Sequence, residues 1–189
     1  LVRVAARLNA QLDLEAVLNT VCQEITRALN IQAATVNLYD ETNHALFSAA
    51  DFGLPPDYQL RHRPIPISEY KKRTNGATPN YVVTKVQEEG SGPNFEMYKS
   101  LGMQSVASVR MMREGKLIGI VNAIAIGNTR EFTEDELSLL QGLADQAALA
   151  IANARLVDQI QRNNQELEQR VQARTGELRQ INEQLRNEI

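Results

Sequence analysis

The chain's last third, from Thr133 to Ile189, contains no proline and reads as one long helix. Three signals coincide at its start. Thr133 can cap the first turn, and Glu136 follows at the spacing of a capping box. Phe132 and Leu137 flank that cap at the spacing of a hydrophobic staple. Asp135 and Glu136 put negative charge at the positive end of the helix dipole. Beyond them Leu137, Leu140, Leu143, Ala144, Ala147, Ile151 and Ala154 recur at helical spacing. At 1.5 Å per residue such a helix runs to roughly 85 Å, far longer than a small domain is wide. It must therefore leave the domain that it begins in.

The helix changes character near Leu156. Before it, alanines and leucines with few charges suit burial. After it, the apolar residues thin to a heptad seam. Val157, Val171, Leu178 and Leu185 occupy one core position, with Asn164 in the same series, and Ile160, Leu167 and Ile181 occupy the other. A buried Asn fixes register and strand number in such seams. Arg174 and Glu188 also fall on it, and Thr175-Gly176 weakens the helix locally. A seam this narrow makes no monomeric core, so a parallel coiled-coil homodimer of modest strength is expected; a solvated single helix is the alternative.

Removing the tail leaves roughly 150 residues, enough for one domain with its own core. The division expected is 1–155 for the domain and 156–189 for the coiled coil. A net charge of −3 argues against nucleic acid as a partner. One cysteine, Cys22, forbids an internal disulfide and fits a reducing cytoplasm. No apolar run approaches the length of a membrane span. The chain opens on Leu1 and stops within a heptad, so a piece of a longer protein is expected.

Residues 2–29 read as two helical pieces meeting at a cap on Asp13. Val4, Leu8 and Leu12 mark the first apolar face; Leu14, Val17, Leu18, Val21, Cys22, Ile25 and Leu29 mark the second. Cys22 on that stripe reads as a small buried hydrophobe, with covalent chromophore attachment as the sharper alternative. Ala34 to Tyr39 and His44 to Ala50 form a hairpin across Asp40–Asn43. Gln104 to Met112 and Lys116 to Ile126 are the clearest strands, joined at Glu114-Gly115. Leu117 to Val121 is continuously apolar but for Gly119, which places this strand centrally. Between the two hairpins, residues 51–102 hold all 6 prolines. They suggest only a broken strand near 61–67, a helical turn at 68–73, a strand at 80–86 and a short helix at 95–101. A long irregular stretch inside a compact domain is usually functional. The order of elements gives an α+β fold with a central antiparallel sheet.

From about Val4 to Val157 the chain resembles a GAF sensor domain. Leu12-Asp13-Leu14-Glu15-Ala16-Val17-Leu18 is similar to that family's first core helix, and Val36-Asn37-Leu38-Tyr39-Asp40 to its first strand. Leu101 to Ser105 with Ser108-Val109, then Gly115 to Gly119, resemble its last hairpin. Phe132 to Glu136 and Leu143 to Ala154 resemble its closing helix. The resemblance implies a GAF-like sheet with N- and C-terminal helices packed on one face, continuing into the coiled coil. It also implies a small-molecule site between one sheet face and the irregular segment. Within that segment Tyr58, Arg61, His62, Tyr81, Phe95 and Tyr98 are the candidate ligand-binding residues: Arg61 and His62 for an anionic group, the aromatics for a planar one.

The ligand itself stays unknown. Family members that bind cyclic nucleotides carry an Asn-Lys pair after the last strand; here Asn122 precedes Ala123 and Asn128 precedes Thr129. Bilin-binding members carry Cys-His, whereas Cys22 precedes Gln23. Haem or iron needs a ligand cluster, and the chain has 2 histidines, His44 and His62. Each of these cofactors is disfavoured, and no metal site is expected. Leu167 to Val171 and Arg174 to Leu178 resemble the linker helix that precedes PAS, histidine-kinase or diguanylate-cyclase modules. The chain has no kinase, cyclase or phosphate-loop motif, and Ser68-Glu69, Asp57 and Cys22 form no legible triad. The expectation is a non-enzymatic, cytoplasmic input module of a bacterial signalling protein, with a two-component sensor histidine kinase as parent and an output domain in cis. A ligand-free dimerisation spacer and the input domain of a diguanylate cyclase are the alternatives.

Overall fold

The computed structural model describes residues 2–56, 58, 62–73, 80–86 and 94–187, and side chains within these except at 2–13, 72, 73 and 185–187. Helix α1 (Val2–Ala28) leads into strands β1 (Ala33–Asp40) and β2 (Ala45–Phe52). A two-residue strand β3 (Ile65–Pro66) and helix α2 (Ile67–Arg73) follow. Then come β4 (Tyr81–Lys85), helix α3 (Phe95–Ser100), β5 (Met103–Arg113), β6 (Lys116–Ile126) and helix α4 (Glu134–Asn187). The strands form a sheet in the order β3-β2-β1-β6-β5-β4, antiparallel at every pairing. Strand β6, with its apolar run from Leu117 to Val121, lies centrally between β1 and β5, as that run requires.

The β5–β6 turn is set by Glu114 and Gly115, both at positive φ (50° and 76°), the two-residue turn whose twist matches paired strands. Gly119 sits opposite Leu38 in β6, where a Cβ would lie 2.2 Å from the Asn37 carbonyl oxygen, so no larger residue fits. Asp40 accepts from the Thr42 (2.8 Å) and Asn43 backbone N–H groups and closes the β1–β2 turn. Those bonds, above all one from the Asn43 side chain, hold its carboxyl below the ordinary value. β3 is held to two residues because Pro64 and Pro66 withdraw backbone donors.

Helices α1 and α4 cover one sheet face. Leu18, Cys22 and Ile25 of α1, Leu140, Ala144 and Ile151 of α4, and Val36, Val109 and Val121 of the sheet form the main core. α1 is a single helix, not two pieces. No glycine or proline interrupts it, and an interior Asp13 costs a helix only a few tenths of a kcal/mol. The side chains of Val4, Leu8 and Leu12 lie outside the described residues.

The cap of α4 is built as its sequence spells out. The Thr133 backbone donates to Glu136 Oε2 (3.0 Å), and the Glu136 backbone donates to Thr133 Oγ1 (3.3 Å). Leu137 is buried and Phe132 packs on the same core. Arg130 gathers three elements at this corner: its guanidinium donates to the Asn30 carbonyl (3.0 Å) and pairs with Glu136, and its backbone N–H donates to Ser105 Oγ (3.0 Å). Over 54 residues α4 runs unbroken for about 80 Å, through Thr175-Gly176 included. Ile151 is its last buried residue among those whose side chains are described, and the seam beyond is open, with Val157, Ile160, Leu167, Val171, Leu178 and Ile181 all exposed. Asn164 is exposed on the same seam; the side chain of Leu185 lies outside the described residues.

Candidate functional site

Alternation along the strands decides what the second sheet face presents. In β1, Ala34 and Val36 enter the helix-side core, which turns Ala33, Thr35 and Asn37 the other way. In β6, Val121 and Ala123 do the same and turn Ile120, Asn122 and Ile124. In β5, Ala107 and Val109 turn Val106, Ser108 and Arg110. Register then aligns these residues into cross-strand rows. Ala33, Ile124, Val106 and Thr84 form one row. Thr35, Asn122, Ser108 and Val82 form the next, and Asn37, Ile120 and Arg110 a third.

The middle row is a buried polar network. Ser108 Oγ donates to Asn122 Oδ1 (2.7 Å), and Asn122 Nδ2 donates to Thr35 Oγ1 (2.9 Å). Asn37 Nδ2 donates to the same Thr35 oxygen (3.2 Å). Thr35 and Ser108 are 2% and 0% exposed. Arg110 is half-buried at one side, its Nη2 donating to Asn80 Oδ1 (3.4 Å).

The irregular segment folds over this face and places an apolar cluster on either side of the network. Tyr58, Val86, Met103, Val106, Ala33 and Ile124 form one, joined by Phe95 and Tyr98 from α3. Tyr70 of α2, with Leu46 and Ile120, forms the other. Asn94, at the start of α3, donates to Glu69 of α2 (3.1 Å) and ties the two covering helices together. The face thus offers a hydrogen-bonding strip between two greasy, aromatic-bearing flanks, the composition of a small-molecule site.

Of the residues predicted from sequence, Tyr58, Phe95 and Tyr98 come together here. Tyr81 does not. It pairs with Val109, which faces the helices, so it sits on the opposite side and donates its hydroxyl to Glu134 Oε1 (3.2 Å). That carboxylate raises the Tyr81 phenol above its ordinary value. His62 is exposed just ahead of β3, and Arg61 lies outside the described residues. Thr35, Asn37, Ser108, Asn122 and Arg110 went unnoticed as a site. Single strands carry little signal of them: Asn122 is the one polar residue between Leu117 and Ile126 of β6.

Cys22 is far from this chemistry. It is 0% exposed in the helix-side core, and burial, with the Asp51 charge, pushes its thiol up to about 12. A thiol held protonated is a poor nucleophile, so it acts as a packing residue. Among the described residues no three His, Cys, Asp or Glu side chains gather to hold a metal ion, and no helix is long and apolar enough to cross a membrane.

A family model described as "GAF domain" matches residues 13–151. Circadian input-output histidine kinase CikA of Synechococcus elongatus is 25% identical over 93% of this chain and 26% of its own length. Sensor histidine kinase YhcY of Bacillus subtilis is 27% identical over 85% of this chain and 43% of its own. The chain therefore spans less than half of either relative. The blue-light absorbing form of the Thermosynechococcus elongatus PixJ GAF-domain superposes with a TM-score of 0.65 at 19% identity, over 81% of this chain and 93% of that one. At that identity the likeness shows the fold alone.

Proposed function

The chain belongs to the GAF domain family, and from that premise we propose that it is the ligand-sensing and dimerising input module of a sensor histidine kinase. The observation that carries the sensing half is the Thr35–Asn122–Ser108 row, roofed by α2 and α3 and flanked by Tyr58, Phe95 and Tyr70. The ligand is a small molecule with a hydrogen-bonding edge over that row and a planar or apolar body against the aromatics. Arg110 favours some negative charge at its rim. Relatives that are histidine kinases and much longer than this chain support an output domain in cis, reached through α4. Dimerisation through the exposed seam from Val157 to Ile181, and a cytoplasmic location, belong to the same reading.

The second reading, a ligand-free spacer, is favoured by one fact: the polar row already satisfies itself internally. Native mass spectrometry of the purified chain separates the two. A dimer with a reproducible extra mass per subunit, lost in Asn122→Leu, bears out the sensor. A dimer at bare mass, whose melting no member of a metabolite library raises, leaves the spacer.

A further inference from the structure

The two helices that roof the candidate site are fastened unevenly. Helix α2 is anchored: its first backbone N–H, from Ile67, donates to the His44 carbonyl (3.0 Å), and Tyr70 is buried between Leu46 and Ile120. Helix α3 has no buried residue; Phe95, Met97 and Tyr98 are half-buried. Its C-terminal end is fixed. Gly102, at φ 67°, leads directly into β5, and its carbonyl accepts from the Gly127 backbone (2.8 Å). At its other end Asn94 Nδ2 donates across to Glu69 Oε2 of α2 (3.1 Å).

Asn94 is also the N-cap residue of α3, whose backbone carbonyl accepts from the Tyr98 N–H (2.9 Å). An asparagine there ordinarily turns its side-chain oxygen onto the N–H of the second or third helical residue, here Glu96 or Met97. This one makes no such bond, and its backbone (φ −107°, ψ 2°) is not the extended form that a cap adopts. A side chain 8% exposed has been drawn off its own helix onto a neighbour's carboxylate. Capping needs a different backbone, so the two arrangements exclude each other. A hydrogen bond to a charged group shifts such an equilibrium about ten- to a hundredfold, and a side-chain cap about two- to thirtyfold. The closed form prevails, and the open one stays within thermal reach.

We propose that Asn94 is a latch with two seats: on Glu69 it closes the roof over the Thr35–Asn122–Ser108 row, and on its own helix it frees α3 to swing about Gly102 and open that row. Its role as a gate rests on the reading of this face as a ligand site; the opening itself needs no ligand. A ligand beneath the roof, packed on Phe95 and Tyr98, favours the closed seat, so the latch sets how long that ligand stays. The leaf that moves is the one without buried residues, and the jamb is the helix anchored by Tyr70.

The test is labelling of the whole chain by iodoacetamide, with Val106→Cys as reporter. Val106 lies in one cluster with Phe95 and Tyr98 of α3. Cys22, in the helix-side core, is labelled only on global unfolding and is the internal control. Glu69→Ala breaks the latch and leaves Asn94 its cap, so it should speed labelling of the reporter about tenfold or more with Cys22 silent. Asn94→Ala empties both seats and should speed it less, by a factor of about two or more. Glu69→Gln keeps an acceptor oxygen and should stay within about twofold of the unsubstituted position. Amide exchange over residues 95–101, measured with Val106 in place, should be slower in Glu69→Ala than in Asn94→Ala. An unchanged labelling rate in Glu69→Ala overturns the latch. Faster labelling with exchange no slower than in Asn94→Ala means that α3 melts, and overturns the second seat. Labelling of Cys22 together with the reporter means that the whole domain opens, and overturns the swing. Each outcome is read without a ligand, so the latch and the sensor reading can fail separately.

Discussion

Replacing Asn122 by Leu keeps the branching of its side chain and removes both of its hydrogen bonds, to Thr35 and from Ser108. Each is worth about 1 kcal/mol net. The larger cost is the Ser108 hydroxyl, 0% exposed, which loses its acceptor at about 1–3 kcal/mol. Thr35 keeps its bond from Asn37, so nothing further is orphaned there. The expected loss is about 3 kcal/mol. Adding Ser108→Ala deletes the orphaned hydroxyl, and the double variant should recover about 1–2 kcal/mol of it. Urea unfolding followed by tyrosine fluorescence reads this directly, because the chain has no tryptophan and Tyr58 and Tyr70 are buried in the two flanking clusters. At a slope of about 2 kcal/mol/M the single variant's midpoint falls by about 1.5 M, and the double's by half that. Protein concentration must be held fixed, since the proposed dimerisation would shift the midpoint by mass action. A single-variant loss below about 0.5 kcal/mol, or a double variant that is simply additive, refutes a sealed, mutually bonded row. The double variant also isolates function from folding. It is folded, yet offers a ligand no polar group at Ser108 or Asn122.

Gly119→Ala sets a methyl 2.2 Å from the Asn37 carbonyl and should cost about 3 kcal/mol, seen as a lowered melting temperature in circular dichroism. Glu136 is held below its ordinary 4.5, chiefly by the Thr133 backbone N–H and then by Arg130, so its stabilising effect is complete above that value and fades as pH falls through the lowered one. Urea midpoints of the natural chain and Glu136→Gln should therefore differ at pH 7 and converge in acid; a constant gap contradicts the assignment. Val171→Asn with Leu178→Asn should weaken the tail seam, and sedimentation should show dimer dissociating at concentrations where the natural chain stays paired.

What was legible in the sequence was whatever a short stretch decides for itself. Phe132, Thr133, Glu136 and Leu137 lie within one turn, so the start of α4 was readable and is built as read. Glu114-Gly115 announced its turn for the same reason. Tyr58, Phe95 and Tyr98 fall in one cluster, as aromatics concentrated in an irregular segment that needs something to cover. Tyr81 was misplaced because its facing depends on pairing with Val109, 28 positions away, and a one-residue change of register reverses it. The Thr35–Asn122–Ser108 row was invisible for the same physical reason. Each residue is an unremarkable polar position in its own strand, and three strands must be aligned before they meet.

β5 explains how a site on one face can concern a helix on the other. Ser108 and Arg110 face the candidate site, while Val109 and Met111, alternating with them, pack into the α1–α4 core. The Arg110 carbonyl accepts from Gln141 of α4 (3.3 Å), and the Ser105 hydroxyl accepts from the Arg130 backbone (3.0 Å), just ahead of the α4 cap. A ligand that draws Ser108 or Arg110 toward itself strains a strand bonded to α4 at one point and to its approach at another. Close-packed interiors do not absorb such shifts by bending; they move packed elements as units. α4 carries the strain outward without a break, so in the proposed dimer a small displacement at Leu143 becomes a change in how two seams meet at Val157 and Ile160. On this reasoning Gln141→Ala should leave ligand affinity nearly intact and reduce the ligand's effect on cross-linking at Ile160→Cys. An unchanged effect would place the coupling elsewhere than β5.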